Sequence, residues 1–254
     1  MITAFIPTYN CEKTIRASLE SVKWADKILI VDSFSTDQTL EICHEYTDWI
    51  LQHEYIYSAK QKNWSMNQID TEWTLHIDSD EQVEPALKDE ILRVMADSDL
   101  PDGFTVRIKN LIWGKWVRCC GLYPCTQVRF FQTAKGRWSD REVHARLQGL
   151  ERIRPLQNHL IHHDLTDISS ELTQFSRQVV IWESNELVKH NKKWHWWDVT
   201  LRPMAVFLIS YFKMGGILEG FRGFYLSVYR AFYSFMTYAR LFELEQDQKK
   251  NYGD

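Results

Sequence analysis

Short apolar runs alternate with amphipathic segments over the first hundred residues. Ile2–Ile6 is apolar and is ended by Pro7; Lys27–Val31 reads KILIV; Trp49–Leu51 and Trp73–Ile77 are two further short runs. Runs of this length are expected of strands buried on both faces. Between the first two, Ile15, Leu19 and Val22 fall at helical spacing, which predicts a helix from Glu12 to Val22 capped by Asn10. Ser35-Thr36-Asp37-Gln38 has the form of a capping box and predicts a second helix from Thr36 to Tyr46. Ala59 to Ile69 is helical in pattern, and Pro85 sits where a helix tolerates proline, in its first turn. Strand and helix in this alternation imply an α/β fold with a mainly parallel sheet and right-handed crossovers.

From about residue 103 the period changes. GFTVRIKN and TQVRFFQT alternate and predict antiparallel or mixed strands, with the loop LIWGKWVRCCGLYPC between them. WSDREVHARLQG follows, then a strand-like stretch into HLIHHDLTD. After Asp167 three helices are predicted: Ser169–His190, Asp198–Lys213 and Leu218–Leu244. The expected organisation is a catalytic α/β domain over 1–167 and a helical region over 168–254. Nothing reaches the roughly 20 uninterrupted apolar residues of a membrane span. The helical region does mix Trp, Lys, Arg and aliphatics in the manner of a surface resting on lipid headgroups.

Composition narrows the function. The net charge of −4 over 254 residues argues against a nucleic-acid binder. The five cysteines form no paired pattern, and Cys119, Cys120 and Cys125 lack the second ligand pair of a structural zinc site. The start of the chain reads as a strand and turn, so a reduced, cytosolic setting is expected.

In a mainly parallel sheet, ligands bind beyond the carboxyl ends of the strands. Here those ends carry Thr8-Tyr9-Asn10, Asp32-Ser33 and Asp78-Ser79-Asp80, so all three groups should face one crevice. If the segment after the fourth run is extended, Asp78 and Asp80 point the same way and reach one hard divalent cation from one side. Asp32 can meet a nucleobase or ribose, or hold the loop that follows it. No glycine-rich phosphate loop is present, so a diphosphate here would be handled by a metal and by side chains. Lys62, Gln61 and Asn63, in the run AKQKNW, stand where a helix starts and could approach a nucleotide or form an exposed face.

The ordered set IPTYNCE, ILIVDSFSTDQT, AKQKN and LHIDSDEQV resembles glycosyltransferase family 2, which has the GT-A fold. GLYPCTQVRFF, DREVHARL, LIHHDLTD and the aromatic tail resemble its branch of lipopolysaccharide core β-glucosyltransferases. The resemblance implies a nucleotide-diphosphate sugar donor, with a UDP-sugar favoured, and a glycan or glycolipid acceptor. It further implies a divalent cation, Mn²⁺ or Mg²⁺, and a peripheral place on the cytoplasmic face of a membrane. Residue by residue it implies that Pro7, Thr8, Tyr9, Asn10 and Glu12 line the nucleotide and that Asp32 meets the base. Gln61, Lys62 and Asn63 lie near nucleotide and sugar. Asp78 and Asp80 match the metal motif, with Asp80 the first choice of ligand, completed by His162 or, failing that, His163. Arg129 in QVRFF would stabilise the leaving diphosphate or bind acceptor. Where the branch has Val-His-Glu, this chain has Val143-His144-Ala145. The base deprotonating the acceptor hydroxyl is then sought upstream, Glu142 ahead of Asp140. Two other readings are a polyprenyl-phosphate sugar synthase and a degenerate, non-catalytic GT-A module, the second favoured by Ala145.

Overall fold

The computed structural model of the protein describes residues 1–141, 145–165, 168–169, 172, 175 and 180–252. The chain forms two compact units: Met1–Asn110 with Pro124–Asp164, and Leu111–Tyr123 with Leu165–Asp254.

The first unit begins as its hydrophobic pattern dictates. Strands β1 (Ile2–Thr8), β2 (Lys27–Asp32), β3 (Ile50–Gln52) and β4 (Trp73–His76) are parallel neighbours in the order β3-β2-β1-β4. Their side chains alternate between two apolar faces. Ile2, Ala4 and Ile6 of β1 and Ile28 and Ile30 of β2 pack with Ile15, Leu19 and Val22 of α1 (Ile15–Val22). Phe5, Leu29 and Val31 point the other way, against Trp64 of α3 (Ser58–Met66). Cys43 of α2 (Thr39–His44) and Leu87 and Ile91 of α4 (Pro85–Val94) join the α1 face.

The sheet continues with β8 (Cys125–Gln132), antiparallel to both β4 and β6 (Gly103–Ile112). Beyond β6 lie β11 (Ile153–Leu165) and, antiparallel to it, the short edge strand β5 (Glu81–Val83). A small separate ribbon pairs β9 (Arg137–Trp138) with β10 (Leu147–Gln148). This is a mostly parallel sheet with helices, the GT-A architecture, and the changeover near residue 103 falls where the alternation predicts it.

Two local expectations are corrected. The second helix starts at Thr39, not Thr36. Ser35 caps no helix: its hydroxyl oxygen accepts from the Asn10 amide at 2.9 Å, while its hydroxyl and amide donate to Asp32 Oδ1 (2.5 Å) and Oδ2 (2.9 Å). The first helix starts at Ile15 rather than Glu12, with Thr14 as its cap. Asn10 has left-handed backbone (φ 45°), and its Oδ1 accepts from the amide of Thr36, so it serves the neighbouring loop instead of its own helix.

In the second unit, the segment predicted as a loop between two strands carries β7 (Lys115–Trp116), paired with the last two residues of β6. Ile112, Val117, Cys119 and Cys120 pack with Leu226. The helices are α5 (Val180–Lys189), α6 (Trp196–Val199), α7 (Leu201–Leu208) continued by a π-helical turn (Ile209–Lys213), and α8 (Phe221–Tyr252). Gly223 lets α8 approach the chain before it. A Cβ there would stand 1.8 Å from the carbonyl oxygen of Gly216. Among the described residues no helix is long and apolar enough to cross a membrane.

Candidate active site

The parallel register of β1 and β2 sets Thr8 beside Asp32 at one edge of the sheet. Asp32 is fully buried, and its oxygens accept from the Thr8 hydroxyl (3.2 Å), from Ser35 twice, and from the Gln52 amide (3.3 Å). It therefore holds the loop after β2. Glu12 helps: its Oε2 accepts from the Gln38 amide at 3.0 Å, and its own amide donates to Asp37. Pro7 lies in β1 opposite Val31, while Tyr9 stands exposed at the rim together with Phe34.

Helix α3 turns its polar run inward. Gln61 is buried and donates to the Ser33 hydroxyl at 2.5 Å. Asn63 grips β9 by pairing its side-chain amide with both the N–H and the carbonyl of Trp138, each at 2.8 Å. Lys62 reaches Asp78, Nζ to Oδ1 3.4 Å. This is not the exposed face that the sequence also allowed.

Beyond β4 the chain makes a tight turn at Ser79-Asp80 before β5. The turn breaks the alternation expected of an extended segment, so Asp78 and Asp80 part company. Asp78 turns to a group of nitrogen atoms: Arg129 Nη2 at 2.9 Å, Lys62 Nζ at 3.4 Å and His76 Nε2 at 3.4 Å. Asp80 turns to β11, where its Oδ2 is 3.5 Å from His162 Nε2. Pairing of Glu81 with His162 across β5 and β11 brings that imidazole to the turn. His163, next along the strand, points to the other face and contacts Gln82 Nε2 at 2.9 Å.

Glu81 and His76 were not singled out from the sequence, and both lie at the centre of the cluster. Glu81 is 1% exposed and accepts from Arg129 Nη2 at 2.6 Å and from the Asp78 amide at 2.9 Å. The signal was present in EQV: Glu81 shares the parity of buried Val83 on an edge strand. Arg129 is itself buried, and its Nη1 is 2.7 Å from His76 Nδ1. A guanidinium only donates, so Nδ1 of His76 is the acceptor and its ring proton sits on Nε2.

Electrostatics follow from this packing. Burial would raise Asp78, but the positive charges of Lys62 and Arg129 outweigh it and hold its carboxyl well below the usual carboxylate range. Glu81 goes the other way: burial pushes it up to about 7 despite Arg129, with the charge of Asp78 adding to the rise. Burial, reinforced by the Lys62 charge, pulls His76 down to about 3, so it is neutral. Burial works against the Arg129 charge, and Glu81 and Asp78 more than offset it.

Whether a hard cation fits can be read from Asp80 and His162. His162 Nδ1 lies 2.9 Å from Asn110 Oδ1, an acceptor, so Nδ1 carries the proton. Nε2 then presents its lone pair toward Asp80 Oδ2, the tautomer and orientation that a metal ligand requires. Two acceptors facing each other at 3.5 Å invite a cation between them. No group of three or more ligating side chains occurs among the described residues. An ion here would draw its other ligands from substrate and water, as Mg²⁺ commonly does.

Of the two candidate bases, Asp140 is exposed beyond β9 and accepts a hydrogen bond from the Tyr57 hydroxyl. Glu142 lies outside the described residues.

The comparisons agree with this architecture. The model of the family "Glycosyl transferase family 2" matches residues 3–181, well over half of the chain. A lipopolysaccharide core biosynthesis glycosyltransferase, LpsC of Rhizobium meliloti (strain 1021), is 24% identical over 248 residues, 95% of this chain and 92% of that protein. An uncharacterized glycosyltransferase of Rickettsia typhi is 27% identical over 255 residues, covering 96% and 87%. Among solved structures, glucosyl-3-phosphoglycerate synthase from Mycobacterium tuberculosis, in complex with Mn²⁺, UDP and glucosyl-3-phosphoglycerate, superposes with a TM-score of 0.50. It does so at 16% identity over 74% of this chain and 79% of that one. With the family model matching residues 3–181, the chain belongs to glycosyl transferase family 2 and is a nucleotide-sugar transferase of GT-A fold.

Proposed function

We propose that the protein transfers a sugar, with inversion, from a UDP-sugar to a lipid-linked or cell-envelope glycan of the lipopolysaccharide core or surface polysaccharide type. The reading rests on one observation: the turn after β4 divides its carboxylates, Asp78 to Arg129 and Lys62, Asp80 to His162. Asp80 and His162 are the residues to hold Mn²⁺ or Mg²⁺. A bound ion would supply charge to the leaving diphosphate. Full-length similarity to a lipopolysaccharide core glycosyltransferase favours the acceptor class, and UDP with Mn²⁺ in the mycobacterial synthase favours the donor and ion.

The chain's own residues then divide the work. Thr8, Asn10, Asp32 and Gln61 shape the floor on which the nucleotide lies, with Pro7, Tyr9 and Glu12 along its edge. Lys62 and Arg129 keep Asp78 ionised and fixed, so the wall nearest the sugar is set before substrate arrives. Asp140 or Glu142 takes the proton of the acceptor hydroxyl as it attacks the anomeric carbon from the face opposite the diphosphate.

A membrane surface is the proposed setting. Helix α7 buries none of its residues, and Leu201, Met204, Leu208 and Phe212 form an exposed stripe along it and the π-helical turn. Leu218 (86% exposed) and Phe221 (70% exposed) extend the apolar set, with Trp196 and Trp197 at the start. Exposed apolar side chains on this scale mark an interaction surface, and Trp beside the exposed Lys192 and Lys193 suits headgroups.

The test is a panel of UDP-, GDP- and ADP-sugars with Mn²⁺ or with EDTA, read by nucleotide release and by thermal shift. Metal-dependent binding and release with a UDP-sugar is expected. Absence of metal-dependent binding to every donor refutes the reading; binding without transfer to any glycan acceptor favours a non-catalytic module, the reading that Ala145 supports.

A further inference from the structure

A pocket of about 200 Å³ opens beside the acidic turn, lined by Lys62, His76, Gln127, Arg129, Trp138 and Ala145 among others. Its volume equals that of about six or seven waters at roughly 30 Å³ each, room for one monosaccharide ring. Trp138 and Ala145, which pack in one hydrophobic cluster, give the pocket an apolar side.

Its polar lining is incomplete in a specific way. Arg129 Nε and His76 Nε2 are buried and have no hydrogen-bond partner among the described residues. His76 Nε2 lies 3.4 Å from Asp78 Oδ1 but without hydrogen-bond geometry. Both atoms are donors: a guanidinium has no other role, and His76 carries its proton on Nε2 because Nδ1 accepts from Arg129. Buried donors left open cost free energy, and native folds rarely leave them so without a ligand to meet them. Lys62, largely buried, adds a third donor with a positive charge. Asp78, the nearby carboxylate, is already engaged by Arg129 and Lys62. A ring hydroxyl entering here offers one oxygen and no charge to the Arg129 and Lys62 cations. A carboxylate brings two acceptor oxygens and none to donate.

We propose that this pocket binds the carboxylate-bearing ring of an acidic sugar, received by Arg129 Nε–H, His76 Nε2–H and the Lys62 ammonium. The inference rests on reading this crevice as the sugar-transfer site, and it narrows the sugar. The ring belongs either to the donor, as a nucleotide-linked uronate, or to the end of the acceptor glycan.

The experiment titrates the full chain by calorimetry in two arms. The donor arm compares UDP-glucuronate with UDP-glucose, with UDP alone as reference. The acceptor arm compares methyl β-glucuronoside with methyl β-glucoside, ranked by saturation-transfer NMR where binding is weak. In one arm the acidic sugar binds about tenfold tighter than the neutral one, as expected for a charge-assisted contact. Ala145→Glu, which places a carboxylate at the pocket wall, and Lys62→Gln each erase that preference while keeping a wild-type melting transition. Equal affinity for acidic and neutral sugars in both arms overturns the proposal, as does a preference that survives both substitutions. UDP binding with no preference leaves the transfer site standing and removes only the acidic sugar. Failure to bind UDP at all removes the donor site, and the acceptor arm then decides the proposal alone.

Discussion

Replacing Arg129 by Met tests the electrostatic account of the site most directly. Met has similar length and no charge, so the loss of packing is small. What is lost is the cation that joins β8 to the turn after β4, through bonds to Asp78 (2.9 Å), Glu81 (2.6 Å) and His76 (2.7 Å). Glu81 then stays 1% exposed beside a second carboxylate, with the Asp78 amide but no cation facing it. Breaking a buried ion pair from one side costs about 3–5 kcal/mol. At about 2–4 °C per kcal/mol for a chain of this size, the melting temperature falls by roughly 10 °C.

The pH dependence adds a sign. Glu81 is raised to about 7 by burial, so folding favours its protonated form. Its stabilising contribution is full below its ordinary pKa of about 4.5 and is lost as pH rises through about 7. Without Arg129 the folded carboxyl is raised further, so the deficit of the variant, which includes the lost Asp78 pair at any pH above the carboxylate range, grows as pH rises from about 5.5 to about 8. Urea unfolding at the two pH values, followed by circular dichroism, reads this. A deficit under about 1 kcal/mol at the higher pH, or one that does not change with pH, refutes the argument.

Three further outcomes are expected. Asp80→Asn keeps the melting temperature of the unliganded chain, because Asp80 is partly exposed, yet loses the gain in UDP affinity that Mn²⁺ gives; calorimetry showing an undiminished Mn²⁺ response would count against Asp80 as ligand. Phe212→Asp combined with Leu218→Asp leaves the melting transition intact and lowers sedimentation with anionic liposomes by about tenfold or more; unchanged co-sedimentation removes this surface from membrane binding. Gly223→Ala forces a methyl group against the Gly216 carbonyl oxygen, 1.8 Å from its ideal position, and should cost about 3 kcal/mol or more by backbone displacement; a variant as stable as the parent in thermal unfolding would show that the two segments separate freely.

How far the sequence could be read depended on the range of the interactions involved. Strands β1, β2 and β4 were legible because burial on both faces imposes an apolar run that needs no knowledge of partners. The start of α2 was not, because a capping box is a local signal, and the loop after β1 had already engaged the Ser35 oxygen through the Asn10 amide while Asp32 held its donors. Thr8, Gln61 and Lys62 were found by position and resemblance, but their inward bonds to Asp32, Ser33 and Asp78 appear only once the sheet is formed. Glu81 could not be singled out because its burial comes from pairing with a strand some eighty residues later. The separation of Asp78 from Asp80 has the same origin: the turn exists because β5 must double back to meet β11.

Leu156, Leu160 and His162 share one parity of β11, the two leucines fully in the core and the histidine at its border with Asp80. One pleat thus sets both the apolar packing and the placement of the imidazole. If the strand slid by a single residue, His163 would replace His162 beside the acidic turn, and a ligand of the same type would still be offered. The same slide would turn Leu156 and Leu160 out of the core, at a cost of several kcal/mol. A misassembled site therefore cannot persist inside an otherwise sound fold. The register that keeps Leu156 and Leu160 in the core is thus the one that sets His162, not His163, beside Asp80.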